Sequence, residues 1–338
     1  VSDVDGYDAD PAHDVSIVIP VYRGEISLPG LLEEILPLHE VFTTPGGQQV
    51  RVAEVVLVHD HGPDDSARVI RELAAKYDFV QPVWLSRNFG QHAATLAGMA
   101  SSGGDWILTI DEDGQYDPSY VGAMVDTALA ERATVVYAKP VNPAPHGPLR
   151  NLASKTAKTF IESVLGSRGT SVFHSFRLVL GEVGRSVAAY SGAGVYLDIA
   201  LGWVAGEIAT CPVELRGEAD RPSGYSLRSL ASHFWRMVLT SGTRLLRIVS
   251  IIGALTALAG LLIALVLIGN QIFGVEMLRG WTSTMVVVLL STGAVLFSLG
   301  VLAEYLGVAV NMAMGKPLYL IVSDPNQGPL GRRRENRR

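Results

Sequence analysis

Two stretches of this chain carry no charge at all: 248–268, with 21 residues, and 282–303, with 22. As helices rising about 1.5 Å per residue, each is long enough to cross a hydrocarbon core of about 30 Å. Both exceed the usual length of a core helix in a soluble protein, so two transmembrane helices are expected. Composition agrees: 48% of the residues are apolar and the mean hydropathy is +0.28, high for a purely soluble chain.

The flanking charges orient the spans. Arg244 and Arg247 precede the first, Arg332, Arg333, Arg334, Arg337 and Arg338 follow the second, and the connecting loop sets Arg279 against Glu276. An excess of arginine outside the spans places both ends on the cytoplasmic side. Residues 1–14 are acidic and polar and do not read as a signal peptide. The N-terminal two-thirds is therefore expected in the cytosol, held at the cytoplasmic membrane. The single cysteine, Cys211, excludes an internal disulfide and a cysteine-rich metal site, and reads as a small buried residue. A net charge of −6, from 27 basic and 33 acidic residues, argues against nucleic acid as a partner. Room for a homo-oligomer remains without any sign of its form.

Ahead of the spans, short apolar strands alternate with helical stretches. Strands are expected over 15–22, 55–58, 80–85, 106–110 and 135–138, and helices over 27–38, 67–74, 91–100 and 120–131. This alternation predicts a mostly parallel α/β sheet, with its ligand beyond the carboxyl ends of the strands. Residues 139–148 hold four prolines and one glycine, an irregular loop, and a helix is expected over 151–165. Between 226 and 247, Leu227, Leu230, Phe234, Trp235, Val238 and Leu239 form an apolar stripe opposite Arg228, Ser229, Ser232, His233 and Arg236. Packing on the soluble domain is one reading of that helix. Lying in the headgroup layer beside the first span is the favoured one. The expected organisation is a tail (1–14), an α/β domain (15–225), an amphipathic interfacial region (226–247), two spans (248–268 and 282–303) and a cytosolic segment with a basic tail (304–338). Residues 318–322 are expected to return to the domain or the interface.

The α/β domain has its chemical focus where the run ending in Ile110 meets Asp111, Glu112 and Asp113. In an extended chain Asp111 and Asp113 project to one side and Glu112 to the other. Two hard oxygen donors suit Mg²⁺ or Mn²⁺ on a substrate diphosphate, with Gln115 as a further oxygen. An acidic turn closing a strand is the plain alternative. His59 and His61 alternate as a metal pair does, but without a third ligand they make a poor zinc site.

Several motifs then fall in a shared order: Ser16 to Tyr22, Ser86-Arg87-Asn88-Phe89-Gly90, Gly104 to Gln115, Phe176-Arg177-Leu178, Gly224-Tyr225-Ser226-Leu227, and Glu304-Tyr305-Leu306-Gly307 with Gly315-Lys316-Pro317-Leu318-Tyr319. In this the chain resembles the family 2 glycosyltransferases that act on polyprenyl phosphates. That group includes dolichol-phosphate mannose synthases and bacterial polyprenyl-phosphate glucosyl- and aminoarabinosyltransferases. The resemblance covers about 15–322 and matches the branch with two C-terminal spans.

The resemblance implies a Rossmann-like GT-A catalytic domain, a nucleotide-sugar donor (UDP- or GDP-sugar) and a membrane polyprenyl phosphate as acceptor. The activity expected is that of a metal-dependent polyprenyl-phosphate hexosyltransferase, making a lipid-linked sugar for cell-envelope glycans. By position, Pro20, Tyr22, Glu25 and Asp60 would line the nucleoside pocket, with Arg87 and Asn88 near the ribose and diphosphate. Asp111, Asp113 and Gln115 would hold the metal, and Asp111 and Asp113 carry the catalytic role. Lys139 and Arg150 would meet the acceptor phosphate, while Arg216, Arg221, Ser223 and Tyr225 would close over the site. The chain departs from the family pattern at Arg23 (usually asparagine), at His59 to Pro63 (usually an acidic-glycine-serine turn) and at Ser175 (usually an acid). These positions bear on base and sugar choice.

The chemistry expected is direct displacement with inversion. A phosphate monoester has a second pKa of about 6, so the acceptor attacks as a dianion and needs little general base. The leaving diphosphate needs charge neutralisation instead. The alternatives are a membrane glycosyltransferase with another acceptor, such as a diacylglycerol or a growing polysaccharide, and a non-catalytic membrane scaffold that binds nucleotide sugars.

Overall fold

The structure, a computed structural model, describes residues 12–142, 173–192, 196–216, 280–315 and 317–327, with single positions at 249, 251, 253, 255, 258 and 262. The chain divides into two compact units. The first takes in residues 12–142, 173–192, 196–216 and 317–327 of the described chain, and the second holds the apolar helices.

The first unit is built on a nine-stranded sheet: β1 (His13–Val21), β2 (Phe42–Thr43), β3 (Gln49–His59), β4 (Val80–Leu85), β5 (Trp106–Thr109), β6 (Val135–Pro140), β7 (Arg177–Leu180), β8 (Ile208–Val213) and β9 (Ile321–Val322). Its order is β8-β6-β7-β5-β1-β3-β4-β9, with β2 hairpinned onto β3. β1 runs parallel to β3 and β5, β3 to β4, and β6 to β8. β7 is antiparallel to both β5 and β6, so β6 points the same way as β5. Six strands thus share one carboxyl edge. The parallel core agrees with the alternating pattern of the sequence; the antiparallel β7 and β9 are additions to it.

Alternation of side chains along β1 sends each face to its own core. Val15, Ile17, Ile19 and Val21 pack with α1 (Ser27–Ile35), α2 (Ser66–Lys76) and α4 (Val121–Glu131). Val18, with Val56 and Val58 of β3, packs against α3 (Gln91–Ala100), α5 (Gly181–Tyr190) and α6 (Leu197–Val204). α3 is rich in alanine because it lies almost on the sheet: a Cβ at Gly98 would stand 2.3 Å from the Val18 Cγ1. The helix expected over 27–38 ends as α1 at Ile35 and tightens into a short 3-10 turn, Leu36–Leu38, that contains Pro37. Cys211 is buried in β8, and burial pushes its thiol pKa up.

Residues 317–327 rejoin this unit. β9 pairs antiparallel with β4, setting Val322 beside Trp84 and Ile321 beside Leu85. The Ser86 amide extends the ladder to the Leu320 carbonyl at 3.0 Å. Arg71 of α2 then donates two hydrogen bonds to Asp324, both 2.7 Å, while its guanidinium lies 4.7 Å from the Trp84 ring centroid. The return expected for 318–322 is therefore made onto the α/β sheet.

In the second unit, α7 (Trp281–Ala313) is a single helix of 33 residues. Its stretch Ser291–Val310 is the one helix among the described residues long and apolar enough to cross a membrane. α7 as a whole is longer than the uncharged run 282–303 and carries Glu304 within it. Leu296, Phe297, Leu299, Leu302 and Leu306 are exposed along it. Of the first expected span, Val249, Ile251, Gly253, Leu255, Leu258 and Leu262 are described, all helical. The rest of that span, the amphipathic stretch 226–247 and the helix expected over 151–165 lie outside the described residues.

Candidate active site

The carboxyl edge of the sheet gathers most of the residues singled out from the sequence. Tyr22 follows β1, Asp60 follows β3, Arg87 and Asn88 follow β4, Asp111 to Gln115 follow β5, and Lys139 lies exposed near the end of β6. Arg150, Arg221, Ser223 and Tyr225 lie outside the described residues.

The diacid motif is a turn that closes the strand, not an extended continuation of it. β5 stops at Thr109, and the chain bends at Glu112 and Asp113. The Asp113 Oδ1 accepts the Gln115 amide at 3.1 Å, and Gly114 takes φ +72°, a left-handed conformation open to glycine. The expectation of strict alternation over Asp111, Glu112 and Asp113 is corrected accordingly, since this local bond and Gly114 replace the extended chain.

Each acid has its own environment. Asp111 is held from both sides: Gln91, at the start of α3, donates to Oδ1 and Ser175 Oγ donates to Oδ2, each at 2.5 Å. Burial, with the charge of Asp113 beside it, pushes the Asp111 pKa up to about 6 against the Ser175 hydrogen bond. Asp113 is exposed. Glu112 turns toward the loop after β1, accepting the amides of Tyr22 and Arg23, and burial raises its pKa to about 7. It organises a loop rather than joining its neighbours.

Asp60 has a similar duty. It is buried, and its oxygens accept the Phe89 amide at 2.7 Å and the Gly90 amide at 2.8 Å, fixing the loop that carries Arg87 and Asn88. Burial raises its pKa despite those bonds. Gly90, at φ +92°, then opens α3, which delivers Gln91 to Asp111. Arg87 lies over the Phe89 ring at 4.2 Å. The turn before these residues is tight: His61 sits at φ +54°, and a Cβ on Gly62 would stand 1.7 Å from the Tyr22 carbonyl oxygen.

Pro20 is buried within β1, and Tyr22 is exposed. Glu25 is tied to the α2 entrance, its amide on Asp64 and its carboxylate on the Asp65 amide, both 3.2 Å. Arg216 donates its amide to the Gln115 carbonyl at 3.0 Å, and its guanidinium pairs with Glu34 at 2.7 Å and Asp117 at 2.9 Å. It is thus bound to the motif it was expected to cover.

Behind Asp111 runs a buried polar group in which motif reading had singled out Arg177 but not its partners Tyr137 and Asp198. Arg177 is ion-paired with Asp198 of α6, and Tyr137 donates to the same carboxylate at 2.9 Å. Gln91, Glu112 and Asp198 carried no sequence signal beyond their neighbourhood. Ser175 did carry one, as a departure from an expected acid.

An α/β sheet with a diacid turn after a central strand, and cationic and loop residues along the same edge, defines a GT-A-like nucleotide-sugar transferase domain. The profile described as "Glycosyl transferase family 2" matches residues 16–180. The chain belongs to this family. The undecaprenyl-phosphate 4-deoxy-4-formamido-L-arabinose transferase of Pectobacterium carotovorum subsp. carotovorum is 30% identical over 315 residues, spanning 92% of this chain and 94% of the relative. The enzyme of the same name from Proteus mirabilis is 30% identical over 325 residues, spanning 93% and 96%. Among solved structures, a mycobacterial protein superimposes with a TM-score of 0.51 at 19% identity, covering 69% of this chain and 74% of its own; this likeness concerns the fold.

Proposed function

We propose that this chain transfers a sugar from a nucleotide-sugar donor to a membrane polyprenyl phosphate, undecaprenyl phosphate in the first instance, with inversion at the anomeric carbon. The product is a lipid-linked sugar for cell-envelope glycan assembly. The observation that carries the reading is similarity to undecaprenyl-phosphate sugar transferases over more than 90% of the chain, apolar segments included.

Among the described residues no three His, Cys, Asp or Glu side chains converge as a ready-made metal cage. That suits Mg²⁺ or Mn²⁺, which bind through one or two carboxylates and complete their shell with substrate phosphates and water. Asp111 and Asp113 would hold the ion, with Gln115 adjacent. When bound it would neutralise charge on the leaving diphosphate. Asp111 is oriented in advance by Gln91 and Ser175, and Asp113 stays open to solvent.

On the donor side, Asp60 and Glu112 act by shaping the loops of Arg87, Asn88 and Tyr22, with Pro20 and Glu25 behind them. Lys139 and Arg150 orient the acceptor dianion. Arg216, Arg221, Ser223 and Tyr225 close the site, with Arg216 pinned beside Gln115. The acceptor explains the membrane segments. At about 0.8 kcal/mol per exposed CH₂ a polyprenyl tail does not leave the bilayer, so the catalytic domain must work at its surface. Two spans, an interfacial helix over 226–247 and cytosolic termini are the arrangement we favour. The length of α7 and the helical residues of the first run support it.

The sugar is left broader than hexosyl, because the relatives' names specify a formamido-arabinose, a pentose. Membranes containing the full chain, Mn²⁺ and undecaprenyl phosphate should be screened with UDP-4-deoxy-4-formamido-L-arabinose, UDP-glucose, GDP-mannose and UDP-N-acetylhexosamine. A labelled, organic-soluble product that requires undecaprenyl phosphate is expected. Product formed only with diacylglycerol in its place overturns the reading, as does an Asp113→Ala protein that binds metal and donor like the parent.

A further inference from the structure

The arginine and aspartate buried behind the diacid turn have no contact with solvent to explain them: Arg177 is 3% exposed and Asp198 is 5%. Such a pair is a poor source of stability, since desolvation offsets most of its attraction. Its hydrogen bonds show what it is joined to. Arg177 Nε donates to Thr109 Oγ1 at 3.1 Å, Thr109 Oγ1 donates to the Ser175 carbonyl at 2.6 Å, and Ser175 Oγ donates to Asp111 Oδ2 at 2.5 Å.

The direction of every link is fixed by chemistry. A guanidinium has only donors, so Thr109 must accept from it and has its one proton left for the Ser175 carbonyl. That bond anchors the backbone of Ser175 just ahead of β7, and the Ser175 hydroxyl, facing a carboxylate, must donate. Donation therefore runs outward from Arg177, to Asp198 of α6 on one side and to Thr109 on the other, and from Thr109 by way of Ser175 to Asp111. The string crosses β7 and β5, whose register places Arg177 opposite Thr109.

We propose that Thr109, Ser175, Arg177 and Asp198 are positioning residues that hold the Asp111 carboxylate in its metal-binding orientation, with Asp198 as the remote anchor. Ser175, where relatives of the polyprenyl-phosphate group are expected to carry an acid, is the terminal link. The inference rests on the reading of Asp111 as a metal-binding residue.

The test is Mn²⁺ binding by the full-length protein in detergent with UDP and GDP in separate arms, followed by the electron paramagnetic resonance of free Mn²⁺, beside steady-state kinetics. Outer-shell partners of a metal ligand are typically worth about ten- to a hundred-fold in affinity. Thr109→Val keeps the shape and loses the hydroxyl, whereas Thr109→Ser keeps the hydroxyl and loses the methyl. Weakening of Mn²⁺ binding by about tenfold or more in Thr109→Val, with Thr109→Ser near the parent, is the result expected. A role in packing alone reverses that order and overturns the inference. If Thr109→Val fails to fold, Ser175→Ala decides: weakened Mn²⁺ binding at an unchanged thermal midpoint supports the string, and unchanged binding sinks it. Asp111→Asn separates this inference from the one beneath it. If it binds Mn²⁺ like the parent, the metal reading of Asp111 fails; if it loses Mn²⁺ while Thr109→Val and Ser175→Ala retain it, only the positioning fails.

Discussion

The Glu112 carboxylate grips the Arg23 amide with both oxygens, at 2.9 and 3.2 Å. The middle acid of the diacid turn is therefore a clamp on the loop after β1. Glu112→Gln replaces one acceptor with an NH₂ group that faces the same amides. The lost bonds amount to about 1–2 kcal/mol, so the donor KM should rise about tenfold with a smaller change in kcat. Donor titrations check this. A fall in kcat at constant KM would place Glu112 with Asp111 and Asp113 instead.

Asp113→Asn should separate chemistry from folding. Asp113 is exposed and its hydrogen bond from the Gln115 amide survives on the asparagine oxygen. Stability is expected to stay within about 0.5 kcal/mol of the parent, while kcat falls by about a hundredfold or more. Urea denaturation and initial rates on one preparation give both numbers.

His59 sets a pH dependence of stability. It is 7% exposed at the end of β3, and its Nε2 has no hydrogen-bond partner among the described residues; burial, with the neighbouring charge of His61, lowers its pKa to about 4. The unfolded chain takes up a proton near pH 6.5, before the folded one does. Stability from this group is thus fully present above pH 6.5 and is lost as pH falls toward 4. By pH 5 the loss is roughly 2 kcal/mol. Urea midpoints at pH 7.5 and 5.0 should draw the parent toward His59→Gln; parallel changes in both proteins refute the assignment.

Arg71 and Asp324 fasten β9 to the sheet. Asp324→Ala removes both hydrogen bonds and should lower stability by about 1–3 kcal/mol. Arg71→Ala should cost more, because it also loses the contact over Trp84. A double-mutant cycle on thermal midpoints is the measurement, and additive effects of the two changes would show that the pair contributes nothing as a pair.

The parallel half of the sheet was legible because its strands are apolar on both faces and alternate with helices, so β1, β3, β4, β5 and β6 could be placed from residues 15–22, 55–58, 80–85, 106–110 and 135–138. β7 was not. It has four residues, and it pairs with β5 and β6 across a long separation in sequence. The candidate site was legible as a set of residue types, with Asp111 and Asp113 at its centre. What each does depends on long-range hydrogen bonds that no local pattern encodes. Asp60 and Glu112 spend their oxygens on backbone amides, and the importance of Ser175 rests on a hydroxyl that meets Asp111 from 64 positions away.

The antiparallel pairing of β9 with β4 has a consequence for how the protein is made. β9 is translated after α7, so the ribosome finishes a helix of membrane-spanning length before it supplies the strand that pairs with β4. Until then β4 presents an open edge, the surface on which stray strands add and aggregation begins. A chain arrested between Ala313 and Ile321 would leave that edge uncapped, with the start of the Ser86 to Gly90 loop lacking its bond to Leu320. Completion of the Ser86 to Gly90 loop thereby waits on a segment made only after α7.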